Sequence, residues 1–341
     1  MISTDSLTAP FIRSVSALFQ LDDHAGFSLT SLSGCANRLW RLDLPVGRFV
    51  IKEFRYTVDD AQWVATIRRG AEFEWAAWTA GTVPMAEPVR SSSGELVVPL
   101  TGSRGQPTLM RVHRWCDGTP VTWPLDAATV EYAGRQLTHI QRQGAQFSRP
   151  AARSLRWWRW QPLDVLEGLR RRALVDDATA RSAADLLACT ERLVADGERA
   201  AGAWAFCHSD HKPDNALRSG DELIVLDWDE AAPCQPRLEA VESALRWAGI
   251  ERGGASDELF VAFIAGYRAA GGDLPGLAPS DFAKCACELL GWFDYQGRRA
   301  LREFDDNDVE AASAAETARD ALTSLAYVLD RIGVWCALAQ S

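Results

Sequence analysis

The stretch 204–230 constrains this chain more than any other, because it sets several polar side chains between two short apolar runs. It reads WAFCHSDHKPDNALRSGDELIVLDWDE. The runs 204–207 and 223–226 predict two short strands. Asp210 falls in the loop after the first run, and Asp227 lies just beyond the second. Carboxylates placed this way suit phosphoryl transfer, in which one orients an attacking hydroxyl and another supplies oxygen ligands for magnesium.

The polar residues of this stretch have the order and spacing of a known motif: His208, Asp210, Lys212 and Asn215, followed by Asp227. This arrangement resembles the catalytic and metal loops of the protein-kinase-like superfamily. Trp228 stands where a protein kinase carries Phe-Gly, so the chain most resembles the aminoglycoside phosphotransferase and choline kinase branch. Many antibiotic kinases carry Gly where this chain has Ser209. The resemblance covers residues 27 to 250.

The resemblance implies a role for each residue of the motif. Asp210 would be the catalytic carboxylate, Lys212 would reach the transferred phosphoryl group, and His208 would brace the loop. Asn215 and Asp227 would hold Mg²⁺. The phosphoryl donor would be ATP or GTP.

Taken alone, the motif has a plainer interpretation. A polar turn between two strands, whose Asp and Asn side chains cap backbone groups, would give the same letters. The position of Asp227 and the upstream features described next favour the functional interpretation.

The first third of the chain reads as strands. A half-apolar run at 27–32 breaks at 33–37, resumes at 38–42, and is followed after a turn by 48–54, RFVIKEF. Two strands joined by a loop of small residues, and then a strand that carries a Lys, resemble the nucleotide-covering hairpin and the Lys strand of the same superfamily.

By this resemblance Lys52 pairs with the α- and β-phosphates of the nucleotide. The loop that contains Ser33, Gly34 and Asn37 would cradle phosphate with its backbone N–H groups, although it has only one Gly. Without the downstream motif, Lys52 would be interpreted as a solvated lysine at a strand edge.

The next segment, 59–81, has helical spacing of apolar residues. In this superfamily the corresponding helix carries a Glu that pairs with the Lys. Glu72 fits best by its spacing to the Val-Pro that follows, and Glu74 is the second candidate. The other of the two would be a surface residue in a helical ion pair.

A strand at 108–113 runs into Arg114, Trp115 and Cys116 and then into Gly-Thr-Pro, which should end it. The resemblance places the join between two lobes here, with the nucleobase bonded to backbone groups near these three residues. Trp115 could equally be a packing residue.

From Leu125 onward the apolar residues have helical spacing, and Asp126, Ser256 and Ser280 are candidate N-caps. We therefore expect an α+β fold that is bilobal and protein-kinase-like.

The expected N-terminal nucleotide-binding lobe, an antiparallel sheet plus a helix, spans 1–113, with a hinge at 114–120. The larger, mainly helical C-terminal lobe spans 121–341. It would contain the catalytic loop (208–215), the metal loop (227–230) and the acceptor site.

Acidic residues near the C-terminal helices are candidates for binding the acceptor. Asp229 and Glu230 follow the metal loop directly, and Asp294 lies among aromatic residues. Carboxylates beside aromatic rings suit a cationic, hydroxyl-bearing molecule. Each of these acids could also be an ordinary solvated side chain, and only Glu230 is linked to the site by its position in the sequence.

Charge limits the classes of partner. The chain has 36 Lys and Arg against 46 Asp and Glu, a net charge of −10. This balance disfavours nucleic acid and anionic membrane and would tolerate a cationic substrate. The expected partners are a nucleoside triphosphate and a small-molecule acceptor, without nucleic acid or membrane, for a monomer or homodimer.

Other features bear on the cellular setting. No run approaches the ~18 apolar residues of a membrane helix, and the first residues lack the pattern of a secretory signal. The eight cysteines include no C-x-x-C pair, so reduced thiols are expected and a zinc site is not. We expect a cytoplasmic protein.

The segment Arg153–Trp160, RSLRWWRW, combines three Trp with three Arg. It could form an aromatic, cationic lid over a ligand or contact nucleic acid. An amphipathic element that packs its rings on the helical lobe would have the same composition, and we favour packing.

The leading hypothesis is a phosphotransferase that moves the γ-phosphoryl group to a hydroxyl of a small cationic molecule, such as an aminoglycoside or another basic antibiotic. A metabolic kinase for choline, homoserine or an amino sugar is an alternative. A catalytically silent nucleotide-binding module is another, although the complete residue set argues against it. The absence of an Asp-Phe-Gly motif and an activation segment disfavours a protein kinase.

Overall fold

A computed structural model describes residues 5–21, 26–32, 37–54, 61–103, 105–147, 161–200, 202–304 and 307–340. They form two compact units. The first draws on Met1–Val121, His208–Asp210 and Asp214–Ala232, and the second on Thr122–Cys207, His211–Pro213 and Pro233–Ser341. The predictions made for Ser33, Gly34 and the segment Arg153–Trp160 concern positions outside the described residues.

The strands within the described residues, in chain order, are β1 (Ser28–Leu32), β2 (Arg38–Leu44), β3 (Gly47–Glu53), β4 (Pro88–Val89), β5 (Val98–Thr101), β6 (Pro107–Arg114), β7 (Thr119–Pro120), β8 (Ala205–Cys207), β9 (Ala216–Ser219), β10 (Glu222–Val225) and β11 (Ala232–Cys234). The main sheet has the order β1-β2-β3-β6-β4, with β5 also paired to β6. Its pairings are antiparallel. Lys52 on β3 lies opposite Arg111 on β6, so the two residues share one face of the sheet.

Helix α1 (Asp5–Leu18) precedes the sheet, and it was not predicted, since the first predicted element begins at residue 27. Its buried residues Phe11, Ile12 and Val15 share a core cluster with Ile51 and Val112 of the sheet. The apolar residues recur at helical spacing, so the signal was present in the sequence.

Helix α2 (Ala61–Thr79) follows the Lys strand, as expected. Its residues Ile67 and Ala71 form a second cluster with Phe54, Val97 and Leu109. Apolar contact on both sides therefore fixes the strands that carry Lys52 and Arg111.

A smaller sheet in the order β10-β9-β7 completes the first unit. Strands β9 and β10 form a hairpin with Gly220 at φ +60°, a left-handed conformation that favours glycine. The Val225 N–H donates to the Pro84 carbonyl oxygen at 2.9 Å. Because β10 is tied to the segment after helix α2, Asp227 is brought into the unit that carries Lys52.

The second unit is helical. Its helices are α3 (Ala127–Phe147), α4 (Pro162–Arg171), α5 (Asp177–Arg199), α6 (Pro236–Trp247), α7 (Asp257–Ala269), α8 (Ala283–Ala300) and α9 (Asp308–Leu338). A cluster built from α4, α5, α8 and α9 includes Val165, Leu187, Phe293 and Leu322. An antiparallel sheet in one unit and a larger helical unit confirm the predicted fold class.

Two of the three predicted helix caps are present. Asp126 Oδ1 accepts a hydrogen bond from the Thr129 N–H at 2.7 Å, and Ser256 Oγ accepts one from the Leu259 N–H at 3.3 Å. Ser280 is not a cap, which corrects the prediction. It lies inside a 3-10 turn, and the carboxylate of Asp281 accepts a hydrogen bond from the Ala278 N–H instead.

Helix α9 is the one helix among the described residues that is long and apolar enough to cross a membrane by length and composition. Arg331 Nη2 lies 2.6 Å from both carboxylate oxygens of Asp257, and the buried Trp335 donates to Asp257 Oδ1 at 3.0 Å. Its residues Ala314, Ala318 and Leu322 are buried in the cluster with α4, α5 and α8, which accounts for part of its apolar surface.

Candidate active site

The catalytic loop is held by His208, whose side chain is fully buried. Its Nδ1 accepts a hydrogen bond from the Asp210 N–H at 3.3 Å, and its Nε2 lies 3.1 Å from the Leu226 carbonyl oxygen. Because a backbone N–H can only donate, the ring proton lies on Nε2 and is donated to Leu226. His208 thus ties the loop of Asp210 to the residue before Asp227, which is the bracing role expected of it.

Two residues of the site have left-handed backbone conformations that non-glycine residues rarely adopt. Ser209 has φ +66° and Asp227 has φ +61°. Conformations of this kind are strained for residues with a Cβ and cluster at functional sites. The φ of Ser209 also explains why glycine suits this position of the motif.

Asp210 and Asn215 form a direct pair. The Asn215 side-chain amide donates to Asp210 Oδ2 at 2.6 Å and to the Asp210 carbonyl oxygen at 3.0 Å. These bonds fix the carboxylate and use the N–H end of the amide. The oxygen end of Asn215 is the part with the chemistry to bind a cation.

Lys52 lies at the metal loop. Its Nζ is 2.6 Å from Asp227 Oδ1 and also contacts Asp229 Oδ2. Burial alone would lower the pKa of Lys52, but the nearby carboxylates of Asp227 and Asp229 outweigh it and raise the pKa above its ordinary value. The ammonium is therefore charged and is directed at Asp227, the predicted metal ligand, and at Asp229.

Asp229 does not have the exposed, acceptor-binding position that the sequence suggested. It is buried at 6% exposure, and its Oδ1 accepts from Arg111 Nη1 at 2.7 Å. Its Oδ2 contacts Lys52 and accepts from Asn37 Nδ2 at 3.4 Å. Both oxygens of Asp229 are therefore engaged inside the first unit, beside Lys52. Asn37, predicted for phosphate binding, lies beside it.

Glu72 is not the partner of Lys52, and this corrects the prediction. Its carboxylate is 55% exposed and pairs with Arg69 Nη1 at 2.7 Å. Glu74, the second candidate, is buried and contacts Arg111 instead of Lys52. Residues 72 and 74 lie about 200° apart around a helix, so only one of them can face the sheet.

His113 completes the surroundings of Glu74. Its Nε2 lies 3.0 Å from Glu74 Oε1. Burial, together with the charges of Arg111 and Lys52, lowers the pKa of His113 to about 3. The ring is therefore neutral near pH 7 and donates an ordinary hydrogen bond to the carboxylate.

Helix α2 lies directly on the metal loop. A Cβ added at Gly70 would be 3.2 Å from the Ala231 carbonyl oxygen and 3.3 Å from that of Trp228. The ring of Phe73 meets the buried indole of Trp228 edge-on, with centroids 5.6 Å apart. The helix backbone and two aromatic rings thus hold the segment after Asp227 in place.

The three residues predicted to bind the nucleobase lie at the end of β6. The Arg114 N–H donates to the Glu87 carbonyl oxygen and the Trp115 N–H to that of Arg48, both at 2.9 Å. Both donors therefore serve the fold. The indole of Trp115 lies under the Arg41 guanidinium, 4.6 Å from it, which favours the packing interpretation. Cys116, at the strand end, is half-buried.

The remaining predicted residues are dispersed. Lys212 belongs to the second unit. Glu230 is exposed in the first. Asp294 is fully buried in the second unit, where it accepts hydrogen bonds from the Gln161 N–H and from Arg298 Nε, both at 2.8 Å. One carboxylate oxygen joins α8 to Gln161 at the start of α4, and the other pairs with Arg298 of the same helix. Because both oxygens are engaged inside the second unit, the prediction that Asp294 binds the acceptor is wrong.

Among the described residues, no group of three or more His, Cys, Asp and Glu side chains could hold a metal ion. Asn215 and Asp227 nevertheless fit magnesium, because Mg²⁺ takes oxygen donors, keeps several water ligands, and binds through one or two protein groups plus substrate phosphates. A structural metal site, in which three or more protein side chains surround the ion, is a different kind of site.

Arg111 is the main residue that sequence reasoning missed. In the segment LMRVH, Arg111 and His113 alternate with the buried residues Met110 and Val112. Period-two alternation places Arg111 and His113 on one sheet face, and the pairing of β6 with β3 sets that face beside Lys52. The alternation was visible in the sequence, whereas the strand neighbour was not.

Comparisons with known proteins agree with this geometry. The model of the APH family, described as a phosphotransferase enzyme family, matches residues 29–279. A search of curated proteins returned no match.

Three solved structures similar to this chain are all small-molecule kinases by name. An amicoumacin kinase in complex with AMP-PNP, Ca²⁺ and Ami has a TM-score of 0.63 at 13% identity, with 92% of each chain covered. A microcompartment-associated aminopropanol kinase has a TM-score of 0.66 at 15% identity and covers 96% of this chain and 98% of its own. Choline kinase from Cryptosporidium parvum has a TM-score of 0.59 at 12% identity, with the same coverage.

At these identities the structural matches establish the fold. The family model spans well over half of the chain and includes Lys52, Asp210, Asn215 and Asp227. The chain therefore belongs to the APH phosphotransferase enzyme family.

Proposed function

We propose that this protein is a magnesium-dependent phosphotransferase that moves the γ-phosphoryl group of ATP or GTP to a hydroxyl group of a small cationic molecule. The observation that carries the proposal is a connected group of polar side chains within the first unit. The Asp210–Asn215 pair and the Lys52–Asp227 pair are connected through His208, which bonds both to Asp210 and to the residue before Asp227.

Asn215 and Asp227 are the residues that would hold Mg²⁺. When bound, the ion neutralises charge on the phosphate oxygens. Lys52, charged and held at Asp227, would contact the α- and β-phosphates. The donor set and the raised pKa of Lys52 support these assignments.

Asp210 would accept the proton of the acceptor hydroxyl and orient that hydroxyl for in-line attack. Asn215 and His208 fix its carboxylate and its backbone, so the geometry is set before substrate binds. Lys212 would offset charge on the transferred phosphoryl group, as the resemblance implies. The reaction forms one phosphorus–oxygen bond and breaks another, without a covalent enzyme intermediate.

A cationic acceptor is supported by the net charge of −10. Glu230, exposed just after the metal loop, is the acid best placed to bind it. The named relatives act on an antibiotic, on aminopropanol and on choline, and the last two are amino alcohols. An aminoglycoside or another basic antibiotic is our first candidate.

The second candidate is a metabolic kinase for an amino alcohol, homoserine or an amino sugar. The similarity to an aminopropanol kinase over almost the whole chain favours it. A silent nucleotide-binding module is disfavoured, because the four residues that a decayed kinase tends to lose are all present here.

The test is release of nucleoside diphosphate from Mg-ATP and Mg-GTP against a panel of aminoglycosides, cyclic-peptide antibiotics, choline, aminopropanol, homoserine and amino sugars. Asp210→Ala should lower turnover by about 10²- to 10⁴-fold while nucleotide binding persists. Asp214→Ala is the matched control, because it removes an exposed carboxylate from the same loop. Near-normal turnover in Asp210→Ala would refute the role of Asp210. If the protein binds nucleotide but no acceptor on the panel stimulates diphosphate release, the silent module is favoured.

A further inference from the structure

Helix α2 is connected to the metal loop by a buried chain of ionic contacts in which Arg111 is the central residue. Its Nη2 contacts Glu74 Oε2, and its Nη1 lies 2.7 Å from Asp229 Oδ1. Asp229 in turn contacts Lys52, which reaches Asp227 at 2.6 Å. The ionic connection from the helix to Lys52 therefore runs through two intermediate side chains.

Burial makes this chain of contacts consequential. Arg111 and Glu74 are each 2% exposed and Asp229 is 6% exposed. A charge that is shielded from water at this level requires a partner, because desolvation is expensive. Separate nitrogens of the forked guanidinium contact Glu74 and Asp229, and the single ammonium nitrogen of a lysine does not reproduce this geometry.

The charges also explain what Arg111 does for Lys52. Glu74, Asp229 and Asp227 carry three negative charges, and Arg111 and Lys52 carry two positive charges. Since His113 is neutral, it adds a hydrogen bond to Glu74 and no charge. Without Arg111, this group would contain three carboxylates and one cation, Lys52. The carboxylates would then draw the Lys52 ammonium away from a phosphate ligand.

We propose that Arg111 is a positioning residue of the nucleotide site, which holds Asp229 and thereby the ammonium of Lys52 at the metal loop. This inference rests on the proposed function. It replaces the direct Lys–Glu pair expected from the sequence with the relay Glu74–Arg111–Asp229–Lys52. Arg111 itself does not touch the reacting atoms.

The experiment measures the affinity of the full chain for AMP-PNP with magnesium, by calorimetry and without an acceptor, together with thermal unfolding. Arg111→Lys should weaken nucleotide binding by about 10- to 100-fold, as loss of a supporting contact commonly does. Arg68→Lys is the matched control, because Arg68 pairs with Glu95 on the exposed surface of the same unit. It should leave the affinity unchanged.

A double variant separates positioning from a purely structural role. Glu74→Gln with Arg111→Met removes both charges, and the loss of a complete buried pair is tolerated better than the loss of one partner. We expect it to unfold at a higher temperature than Arg111→Met alone and still to bind nucleotide weakly, since Asp229 has lost its contact with Arg111 and is left with Lys52. Recovery of affinity together with stability would overturn the inference, as would unchanged affinity in Arg111→Lys.

The unsubstituted protein is measured first. If it binds no nucleotide, the proposed function fails and this inference fails with it. If it binds nucleotide and Arg111→Lys binds equally well, the inference alone fails.

Discussion

Lys52 Nζ and Asp227 Oδ1 lie 2.6 Å apart although 175 positions separate the two residues in the sequence. One belongs to a strand of the main sheet, and the other follows a strand of the small sheet. Their contact brings the predicted phosphate ligand and the predicted metal ligand to one place. Most of the proposed chemistry depends on this pair.

Replacement of Lys52 tests the pair directly. Lys52→Met should lower turnover by about 10²- to 10³-fold, because a preorganised cation is lost where phosphate charge must be stabilised. Steady-state kinetics with the acceptor identified by the panel provide the measurement. Lys52→Arg should recover only part of the loss, because the planar guanidinium does not reproduce the compact ammonium. Full activity in Lys52→Met would contradict the assignment.

The buried imidazole of His113 should make stability depend on pH. Its folded-state pKa of about 3 lies below the ordinary 6.5, so the unfolded chain binds more protons between these values. This contribution to stability is present above pH 6.5 and is lost as the pH falls toward 3. Between these two pKa values, the free energy of unfolding falls by about 1.4 kcal/mol for each pH unit.

Urea unfolding of the unsubstituted protein and of His113→Gln between pH 6.5 and 5 measures this effect while most carboxylates stay ionised. The glutamine retains an N–H donor for Glu74 but does not titrate. The stability difference between the two proteins should shrink as the pH falls. A difference that stays constant across this range would contradict a neutral, buried His113.

The left-handed backbone at Ser209 predicts that glycine is favourable there. Ser209→Gly should be more stable than Ser209→Ala by about 1 kcal/mol, because alanine keeps the steric cost of its Cβ and glycine does not. Both variants lose the hydroxyl, so their difference isolates the backbone. Arg302→Gly and Arg302→Ala provide a positive control, because Arg302 has the same left-handed backbone, φ +58°, and lies outside the loop. Equal stability of the two Ser209 variants would argue against the strain.

The two glutamates of helix α2 should differ in their effect on stability. Glu74→Gln should lower the free energy of unfolding by about 3 kcal/mol, because it leaves Arg111 buried without one of its charged partners. Glu72→Gln should change it by about 0.5 kcal/mol or less, since the Arg69 pair is exposed. Denaturant unfolding of both variants measures the two losses in the free energy of unfolding. Similar losses would contradict the buried position of Glu74.

Asp294 should matter for folding and not for the acceptor. Asp294→Asn should lower the free energy of unfolding by about 1–3 kcal/mol, as expected for a buried group that loses a charged hydrogen bond. The KM for the acceptor should stay the same. Glu303→Gln is the control, because Glu303 pairs with the same Arg298 at 2.7 Å but is 46% exposed. A raised KM in Asp294→Asn would restore the original prediction for that residue.

The sequence was sufficient for contacts that depend on local spacing. His208 to Asn215 are close in the sequence, and the helix and strand patterns around them follow from apolar periodicity. The caps Asp126 and Ser256 were predictable for the same reason, since a cap bonds within three residues of itself.

Assignments that depend on long-range contacts were less predictable. Glu72 and Glu74 both fit the spacing, and only the rotation of the helix against the sheet distinguishes them. Asp294 lies among aromatic residues in the sequence, but its bond to the N–H of Gln161 depends on how two helices pack. Arg111 acquires its role from its neighbour across the strands, which no local pattern encodes.

The packing of helix α2 on the metal loop also limits how the protein could be inhibited. A compound that binds between helix α2 and the metal loop would have to displace the Trp228 indole, which is 1% exposed. Re-exposing a large aromatic side chain costs several kcal/mol, at about 25 cal/mol per Å² over roughly 200 Å². Inhibitors should therefore be directed at Lys52 and Glu230, the residues proposed to bind phosphate and acceptor, instead of at this packed interface.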